Sequence, residues 1–136
     1  MSDIKIKILG NGFCEATHEE FGEKVKTSIS PIFGGKGENF SSTDLVAAAL
    51  GTCVASSLEG FAKRSDLNFN EFEIMVEKEL SDSPKRISAL KIEIAYPKKL
   101  DDKTLLKIIR IINSCPVRKS LNPEIIVESR FREIKK

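Results

Sequence analysis

The sequence predicts an α+β domain in which antiparallel strands accompany one long helix that carries a cysteine. Two observations lead to this class. Apolar and charged residues alternate in several short runs, as in strands with one buried face, and an Ala-rich stretch around Cys53 continues without proline. The chain has 136 residues, a length typical of one domain, so we expect a single domain over residues 1–136.

The N-terminal region predicts a small sheet. Residues 4–8 alternate isoleucine with lysine, which indicates a strand whose isoleucine face is buried. Gly10-Asn11-Gly12 predicts a tight turn directly after it. A second strand is expected to begin around Phe13, and a third covers residues 25–29 and ends near Pro31.

A long helix is predicted from Ser41 to about Arg64. Ser41 is a suitable N-cap, and Asp44 follows three residues later, which is a short-armed version of the capping box. Lys63 and Arg64 suit the negative end of the helix dipole. Because residues 45–58 are apolar on nearly every side, we expect this helix to be buried at the centre of the fold.

One side of this helix carries small residues at every fourth position, namely Ala47, Gly51 and Ala55. Such a stripe allows another backbone to approach closely. We expect a second copy of the same helix to pack there across a dimer axis, so Gly51→Leu is expected to break the dimer.

The C-terminal half predicts a hairpin, a helix and a last strand. Alternation over residues 72–76 and 90–96, with a turn-rich segment at residues 81–84 between them, predicts an antiparallel hairpin. Residues 125–131 predict the last strand.

The second helix leads directly to Cys115. Asp101 or Asp102 can cap its start, and its apolar residues keep the spacing of one buried face: Leu105, Ile108, Ile109 and Ile112. Cys115 continues that face. Pro116 ends the helix and suits the first position of a new short helix, which makes Cys115 the N-cap of that helix.

Composition excludes several classes of function. A net charge of +2 is too weak to indicate a nucleic-acid partner, and the N-terminus lacks the apolar stretch of a secretory signal. The longest weakly polar run, residues 45–58, is shorter than the ~18 apolar residues of a membrane span. Three cysteines, an odd number, favour reduced thiols. We therefore expect a cytoplasmic protein without nucleic-acid or membrane partners.

Local physics favours Cys115 over Cys53 as the more reactive thiol. Cysteine attacks as the thiolate, and the free amides of a new helix, with Arg118 and Lys119 nearby, favour ionisation of Cys115. Cys53 lies more than three turns into its helix, among uncharged helical neighbours. For each cysteine the inert interpretation, a small buried hydrophobe, stays open.

Other motifs are weaker. Cys14 and His18, followed by Glu19 and Glu20, lack the paired spacing of a metal site, so we expect no metal. His18 is the only histidine, and nothing in the sequence places it beside a cysteine. The glycine-rich loop at residues 34–37 does not match the phosphate-binding loop, and we expect a flexible lead-in to the helix.

Three segments in combination resemble the OsmC/Ohr family of thiol-dependent hydroperoxide reductases. They are the helix start at residues 42–53, the segment Ser83-Pro84-Lys85-Arg86-Ile87, and the segment Cys115-Pro116-Val117-Arg118-Lys119-Ser120-Leu121. The resemblance extends from about Gly34 to the end of the chain. It implies the OsmC-like fold, with antiparallel sheets around a long central cysteine-bearing helix, and an intertwined homodimer.

The resemblance also implies roles for individual residues. Cys53 would be the peroxidatic thiol that an organic hydroperoxide oxidises to a sulfenic acid, and Cys115 would resolve it as a disulfide. Asp44 occupies the position where one branch of the family carries a glutamate. The family needs no cofactor, but it needs an external dithiol, small or protein-bound, as reductant. Its role is defence against oxidative stress.

One departure from the family keeps a second function open. Strong peroxidases of the family activate the first cysteine with an arginine from the N-terminal sheet, and no arginine precedes Arg64 here. Lys24, Lys26 or Lys36 would have to replace it, and lysine lacks the planar fork of the guanidinium. The alternative is a dimeric binding or redox-sensing protein with the same fold and little or no peroxidase activity.

Overall fold

The computed structural model describes residues 2–135. Contacts within the chain divide it into two compact units, of which the N-terminal one ends at Val46 and the C-terminal one begins at Ala47. The first helix crosses this boundary. The single domain over residues 1–136 stays a prediction.

The N-terminal unit contains a three-stranded antiparallel sheet in the order β1 (Ile4–Gly10), β2 (Phe13–His18) and β3 (Lys24–Thr27). The predicted turn joins the first two strands, and its Asn11 has a φ of 55°, which asparagine tolerates. The predicted burial of the β1 face is wrong, because Ile8 is 82% exposed and Ile4 and Ile6 are also exposed. The alternation identifies the strand, but the N-terminal unit leaves more than half of each of these isoleucines exposed.

Helix α1 extends over Ser42–Lys63, within one residue of the predicted bounds. It starts with the predicted capping box. The Ser41 hydroxyl accepts a hydrogen bond from the Asp44 N–H at 3.1 Å, and the Asp44 carboxylate accepts one from the Ser41 N–H at 2.9 Å. Both amides would otherwise lack a partner at the helix start, so this pair determines where α1 begins.

Only one face of α1 is buried, which corrects the prediction of a helix buried on nearly every side. Its buried residues recur every three or four positions: Ala47, Leu50, Val54, Leu58 and Ala62. On another face the Thr52 hydroxyl donates to the Ala48 carbonyl, and the Ser56 hydroxyl donates to the Thr52 carbonyl. Because the helix itself satisfies these hydroxyls, that face can stay exposed.

A second three-stranded sheet lies in the C-terminal unit, in the order β4 (Glu73–Asp82), β5 (Lys85–Tyr96) and β6 (Ile126–Glu133). The first two strands form the predicted antiparallel hairpin, with a cis Ser83–Pro84 peptide in its turn. β6 pairs with β5 in parallel, so this sheet is mixed, and the predicted antiparallel pairing holds for the N-terminal sheet and the β4–β5 hairpin. The chain between β5 and β6 supplies the long crossover that parallel strands require.

That crossover contains helices α2 (Asp102–Ser114) and α3 (Pro116–Ser120). The Asp101 carboxylate accepts the Thr104 N–H at 2.7 Å, so Asp101 is the cap of α2. The largest fully buried side chains come from α1, β5 and α2: Leu50, Val54, Leu58, Leu90, Ile92, Ile94, Ile108 and Ile112. These residues form the core of the C-terminal unit and hold α1, which carries Cys53, against α2, which leads to Cys115.

Gly51 has its close neighbour within the chain. A side-chain carbon at Gly51 would lie 3.0 Å from the Val76 Cγ2 atom of β4. Within the chain, the close approach that Gly51 permits is therefore to β4, and the expected packing of a second copy of α1 on the small-residue stripe stays a prediction. The homodimer itself stays a prediction.

By length and composition, α1 is also apolar enough to cross a membrane, a property that it shares with core helices of soluble proteins. The length of the apolar segment was therefore underestimated when residues 45–58 were considered too short for a membrane span. The expected absence of a membrane partner stays a prediction.

Candidate functional site

The thiol site lies in the C-terminal unit, where α1 provides Cys53. This side chain is half-buried. It lies beside the buried face of α1, three residues after Leu50, which is completely buried. Cys53 is therefore held on a fixed helix while part of its side chain remains accessible.

Cys115 connects α2 to α3 and is the N-cap of α3, as predicted. Its sulfur accepts a hydrogen bond from the Arg118 N–H at 3.3 Å. Its side chain continues the buried face of α2 and is only 2% exposed. Pro116 at the first position of α3 has the backbone φ that this abrupt start requires.

The fold brings the two thiols together. The Cys53 side chain lies close enough to the Cys115 thiol to raise its pKa, although the two residues are far apart in sequence. All three cysteines, including Cys14, are free thiols in this structure. The site is thus a reduced pair of neighbouring thiols, one half-buried and one buried.

The pKa of the Cys115 thiol is raised above its ordinary value, chiefly because burial disfavours the charged thiolate. The hydrogen bond from the Arg118 N–H opposes this shift, and the neighbouring Cys53 reinforces it. The prediction that Cys115 ionises at neutral pH is therefore wrong. The predicted N-cap geometry is present, but burial outweighs the amide in this short helix.

The predicted cations do not surround the Cys115 sulfur in the expected way. Arg118 contributes its backbone N–H, whereas its guanidinium donates to the Ile125 carbonyl at 3.5 Å. This contact ties α3 to the residue directly before β6. Arg118 thus supports the thiol site through the backbone.

Asp44 lies in the N-terminal unit, at the start of α1, where its carboxylate closes the capping box with Ser41. The cysteines both belong to the C-terminal unit. The described contact of Asp44 is structural, and its participation in chemistry stays a prediction.

The N-terminal sheet carries the lysines that were considered as replacements for an arginine. The Lys24 ammonium pairs with the Glu15 carboxylate at 3.5 Å, and the Lys26 ammonium lies 4.7 Å from the centre of the Phe13 ring. Both lysines therefore already have partners on neighbouring strands.

His18 and Cys14 occupy separate places in the same sheet. The His18 ring stacks on Phe21 and its Nδ1 accepts the Phe21 N–H, so the ring stabilises the turn after β2. Cys14 lies opposite Thr27 of β3. Across residues 2–135 no group of three or more His, Cys, Asp and Glu side chains is placed to hold a metal ion.

Sequence reasoning missed a pocket in the N-terminal unit. It has a volume of about 450 Å³, and its lining includes Cys14, Ser28, Phe33 and Leu45. Ser28 is itself buried, and its hydroxyl accepts the Asn39 N–H at 3.0 Å. The available signal was the short apolar run Pro31-Ile32-Phe33 directly before the glycine-rich loop, which has no strand or helix period.

Comparisons with known proteins agree with this architecture. A family model described as OsmC-like protein matches residues 35–130. A Psychrobacter arcticus structure, named as a candidate osmotic stress induced and detoxification response protein, is 29% identical with a TM-score of 0.87, and 96% of each chain is covered. No curated protein matches the chain by sequence.

Two more distant structures carry names that refer to hydroperoxides. An organic hydroperoxide resistance protein OsmC from Legionella pneumophila is 16% identical with a TM-score of 0.75, covering 98% of this chain and 97% of that one. An organic hydroperoxide resistance protein from Elizabethkingia anophelis is 13% identical with a TM-score of 0.75, and 98% of each chain is covered. The predicted OsmC-like α+β fold, with its long helix, is confirmed.

Proposed function

Because this chain belongs to the OsmC-like protein family, we propose that it reduces organic hydroperoxides with Cys53 as the peroxidatic thiol and Cys115 as the resolving thiol. The observation that carries this proposal is the proximity of the half-buried Cys53 to the buried Cys115, whose pKa it influences. Two neighbouring thiols of unequal exposure suit a reaction in which the exposed thiol attacks the substrate and the buried thiol then forms a disulfide with it.

The proposed reaction has two steps. The Cys53 thiolate attacks the terminal oxygen of the hydroperoxide, the O–O bond breaks, and the alcohol leaves with a proton while Cys53 becomes a sulfenic acid. The Cys115 sulfur then attacks the Cys53 sulfur, an S–S bond forms, and the hydroxyl leaves as water with the proton from Cys115. One hydroperoxide and two thiols thus yield one alcohol, one water and one disulfide.

The raised pKa of Cys115 suits the second role. A protonated, buried thiol does not compete for hydroperoxide, because only the thiolate is an effective nucleophile. Its proton then leaves with the water in the resolving step. Cys53 is the thiol that a substrate can reach, since its side chain is the more exposed of the two.

We propose that an external dithiol, small or protein-bound, completes the cycle by reducing the disulfide, and that the enzyme acts in the cytoplasm as a homodimer. No cofactor takes part in either step. Names of similar structures support the substrate class, since two of them are organic hydroperoxide resistance proteins.

Free-thiol titration tests the proposal most directly. Reduced protein is titrated before and several seconds after one equivalent of cumene hydroperoxide. The wild type should lose two of its three thiols, Cys14→Ser should also lose two, and Cys53→Ser should lose none. Cys115→Ser should lose one and form a dimedone adduct at Cys53. Equal losses in Cys53→Ser and the wild type would exclude Cys53 as the first thiol.

A second candidate function is binding or redox sensing without efficient turnover. The pocket of about 450 Å³ in the N-terminal unit favours it, because the pocket has the size of a small-molecule site. The absence of an arginine before Arg64 points the same way. Unchanged thiols after hydroperoxide, together with saturable binding of an apolar fluorophore that Phe33→Ala abolishes, would favour this candidate over the peroxidase.

A further inference from the structure

A groove lies in the C-terminal unit between the last turns of α1 and the middle of α2. Its volume is about 490 Å³. Three cations and two apolar side chains line it, and we call it the basic groove: Arg64, Lys107, Arg110, Phe61 and Ile111. It is separate from the thiol site, since neither Cys53 nor Cys115 contributes to its lining.

The three cations of the basic groove lack acidic partners at ion-pair distance. No ion pair within residues 2–135 involves Arg64, Lys107 or Arg110, although other basic residues do form pairs, such as Lys63 with Glu59. Lys107 also interacts with Asp101, whose pKa is lowered chiefly by hydrogen bonds from Thr104 and to a smaller extent by Lys103 and Lys107. Three like charges around one concave surface repel one another, and an anion in the groove would remove that repulsion.

The floor of the groove is apolar. Phe61 and Ile111 are half-buried, and the Lys107 ammonium lies 5.6 Å from the centre of the Phe61 ring. The ammonium lies over this ring, so a positive charge and an apolar surface are next to each other in the groove. The groove therefore combines a charged rim with an apolar floor, as small-molecule sites do.

The end of α1 holds this arrangement in place. The Arg64 N–H donates to the Phe61 carbonyl at 3.1 Å, and the Ser65 hydroxyl donates to the same carbonyl at 3.1 Å. On the opposite wall, Lys107 and Arg110 are three residues apart and thus project from one side of α2. The positions from which the cations extend are thereby defined, while the exposed side chains can adjust to a ligand.

We propose that the basic groove is a second ligand site, which binds a small phosphate monoester that carries an apolar or aromatic group. Two guanidinium groups and one ammonium match a dianion better than a monoanionic carboxylate, because guanidinium forms paired hydrogen bonds with phosphate oxygens. The apolar group would lie on Phe61 and Ile111. A groove of this volume accommodates one small molecule, whereas nucleic acid requires an extended basic stripe.

This site goes beyond the peroxidase proposal and does not depend on it. Phe61 lies eight residues after Cys53 on the same helix, which corresponds to roughly 12 Å along the axis. A ligand in the groove would lie beside the thiol pair without covering it. Binding should therefore persist in the Cys53→Ser variant.

Isothermal titration with 1-naphthyl phosphate tests the proposal, with 1-naphthoate and the neutral 1-naphthol as comparison ligands. We expect the phosphate to bind most tightly and its affinity to fall as salt rises from about 0.05 M to about 0.5 M. Arg110→Gln, Lys107→Gln and Arg64→Gln should each weaken binding by roughly tenfold, since each removes a charged hydrogen-bond donor.

Arg130→Gln is the matched control, because Arg130 is an exposed arginine on β6 outside the groove. It should leave the affinity unchanged. Equal affinity for 1-naphthol and 1-naphthyl phosphate would overturn the proposal, as would an equal loss of affinity in Arg130→Gln. Tighter binding of an RNA homopolymer than of 1-naphthyl phosphate would also overturn it and indicate a nucleic-acid surface. Thermal melts of each variant establish that the fold is intact.

Discussion

Replacing Gly51 tests how α1 packs on β4. A β-carbon at this position would lie 3.0 Å from the Val76 Cγ2 atom, closer than the ~3.5–4.0 Å at which carbon atoms attract one another best. In Gly51→Ala the contact opposes the gain of roughly 0.5–1 kcal/mol that alanine brings to a helix interior. We therefore expect a nearly unchanged free energy of unfolding in this variant.

Gly51→Leu should behave differently. Its β-carbon already meets the Val76 Cγ2 atom at 3.0 Å, so the larger side chain requires Val76 to move, and overpacking of this kind costs about 1–3 kcal/mol. Subtracting a helix-propensity gain of roughly 0.8 kcal/mol from the upper half of this range leaves an expected net loss of roughly 1–2 kcal/mol. For a urea m-value of about 2 kcal/mol per molar, the unfolding midpoint should fall by roughly 0.5–1 M.

Urea unfolding followed by circular dichroism measures these differences, and sedimentation of the same samples reports the oligomeric state. The double variant Gly51→Leu with Val76→Ala should recover stability, with a coupling of about 1 kcal/mol or more. Ala55→Leu is the control on the same helix, because Ala55 is exposed, and its free energy should change by less than about 0.5 kcal/mol.

Two outcomes would refute this reasoning. If the Gly51→Leu and Val76→Ala effects add without coupling, Val76 is not the neighbour that limits position 51. If Gly51→Leu unfolds at the wild-type midpoint but sediments as a smaller species, the glycine serves an interface between copies of the chain. A lower midpoint without any change in sedimentation supports packing on β4.

Two further predictions concern Asp44 and Cys115. Asp44→Ala removes half of the capping box at Ser41 and should lower the free energy of unfolding by about 0.5–2 kcal/mol. Urea unfolding measures this loss. An unchanged unfolding midpoint would show that the capping box does not stabilise the fold. Because burial raises the pKa of Cys115, this thiol should stay protonated as the pH rises past ~8.5, which is the pKa of an unperturbed cysteine. The protonated thiol contributes fully to the free energy of unfolding below that pH, and this contribution is lost as the pH rises through the pKa of Cys115 in the folded state. Iodoacetamide labelling of a Cys14→Ser, Cys53→Ser variant should therefore be slower than labelling of a peptide cysteine at pH 7 to 9, and an equal rate would contradict the raised pKa.

Features that depend on a few adjacent residues could be predicted from the sequence. The caps at Ser41, Asp101 and Cys115 are all present, because each depends on a hydrogen bond to a backbone N–H three residues later. The hairpin of β4 and β5 could also be predicted, since its turn and its alternating runs lie close together in sequence.

Features that depend on contacts between distant parts of the chain were harder to predict from the sequence. Alternation in β1 indicates that Ile8 and its neighbours share a face, but it contains no information about what covers that face. The sequence did contain a signal for the parallel direction of β6, namely the helix predicted between β5 and β6. A connection that contains a helix can return the chain to the same end of the sheet. The neighbour of Gly51 is a β4 side chain, which the helix sequence alone does not identify.

The order of the two cysteines illustrates the same limit within the proposed site. Local geometry favours Cys115, because it is an N-cap with an amide directed at its sulfur. Tertiary packing reverses this preference, since the side chain is 2% exposed and desolvation of a thiolate outweighs one amide hydrogen bond. Cys53 has no such local advantage, but it retains the exposure that a bimolecular reaction with a hydroperoxide requires. In the proposed reaction, burial therefore assigns the roles: the accessible thiol reacts first, and the buried thiol keeps its proton until a sulfenic acid forms beside it.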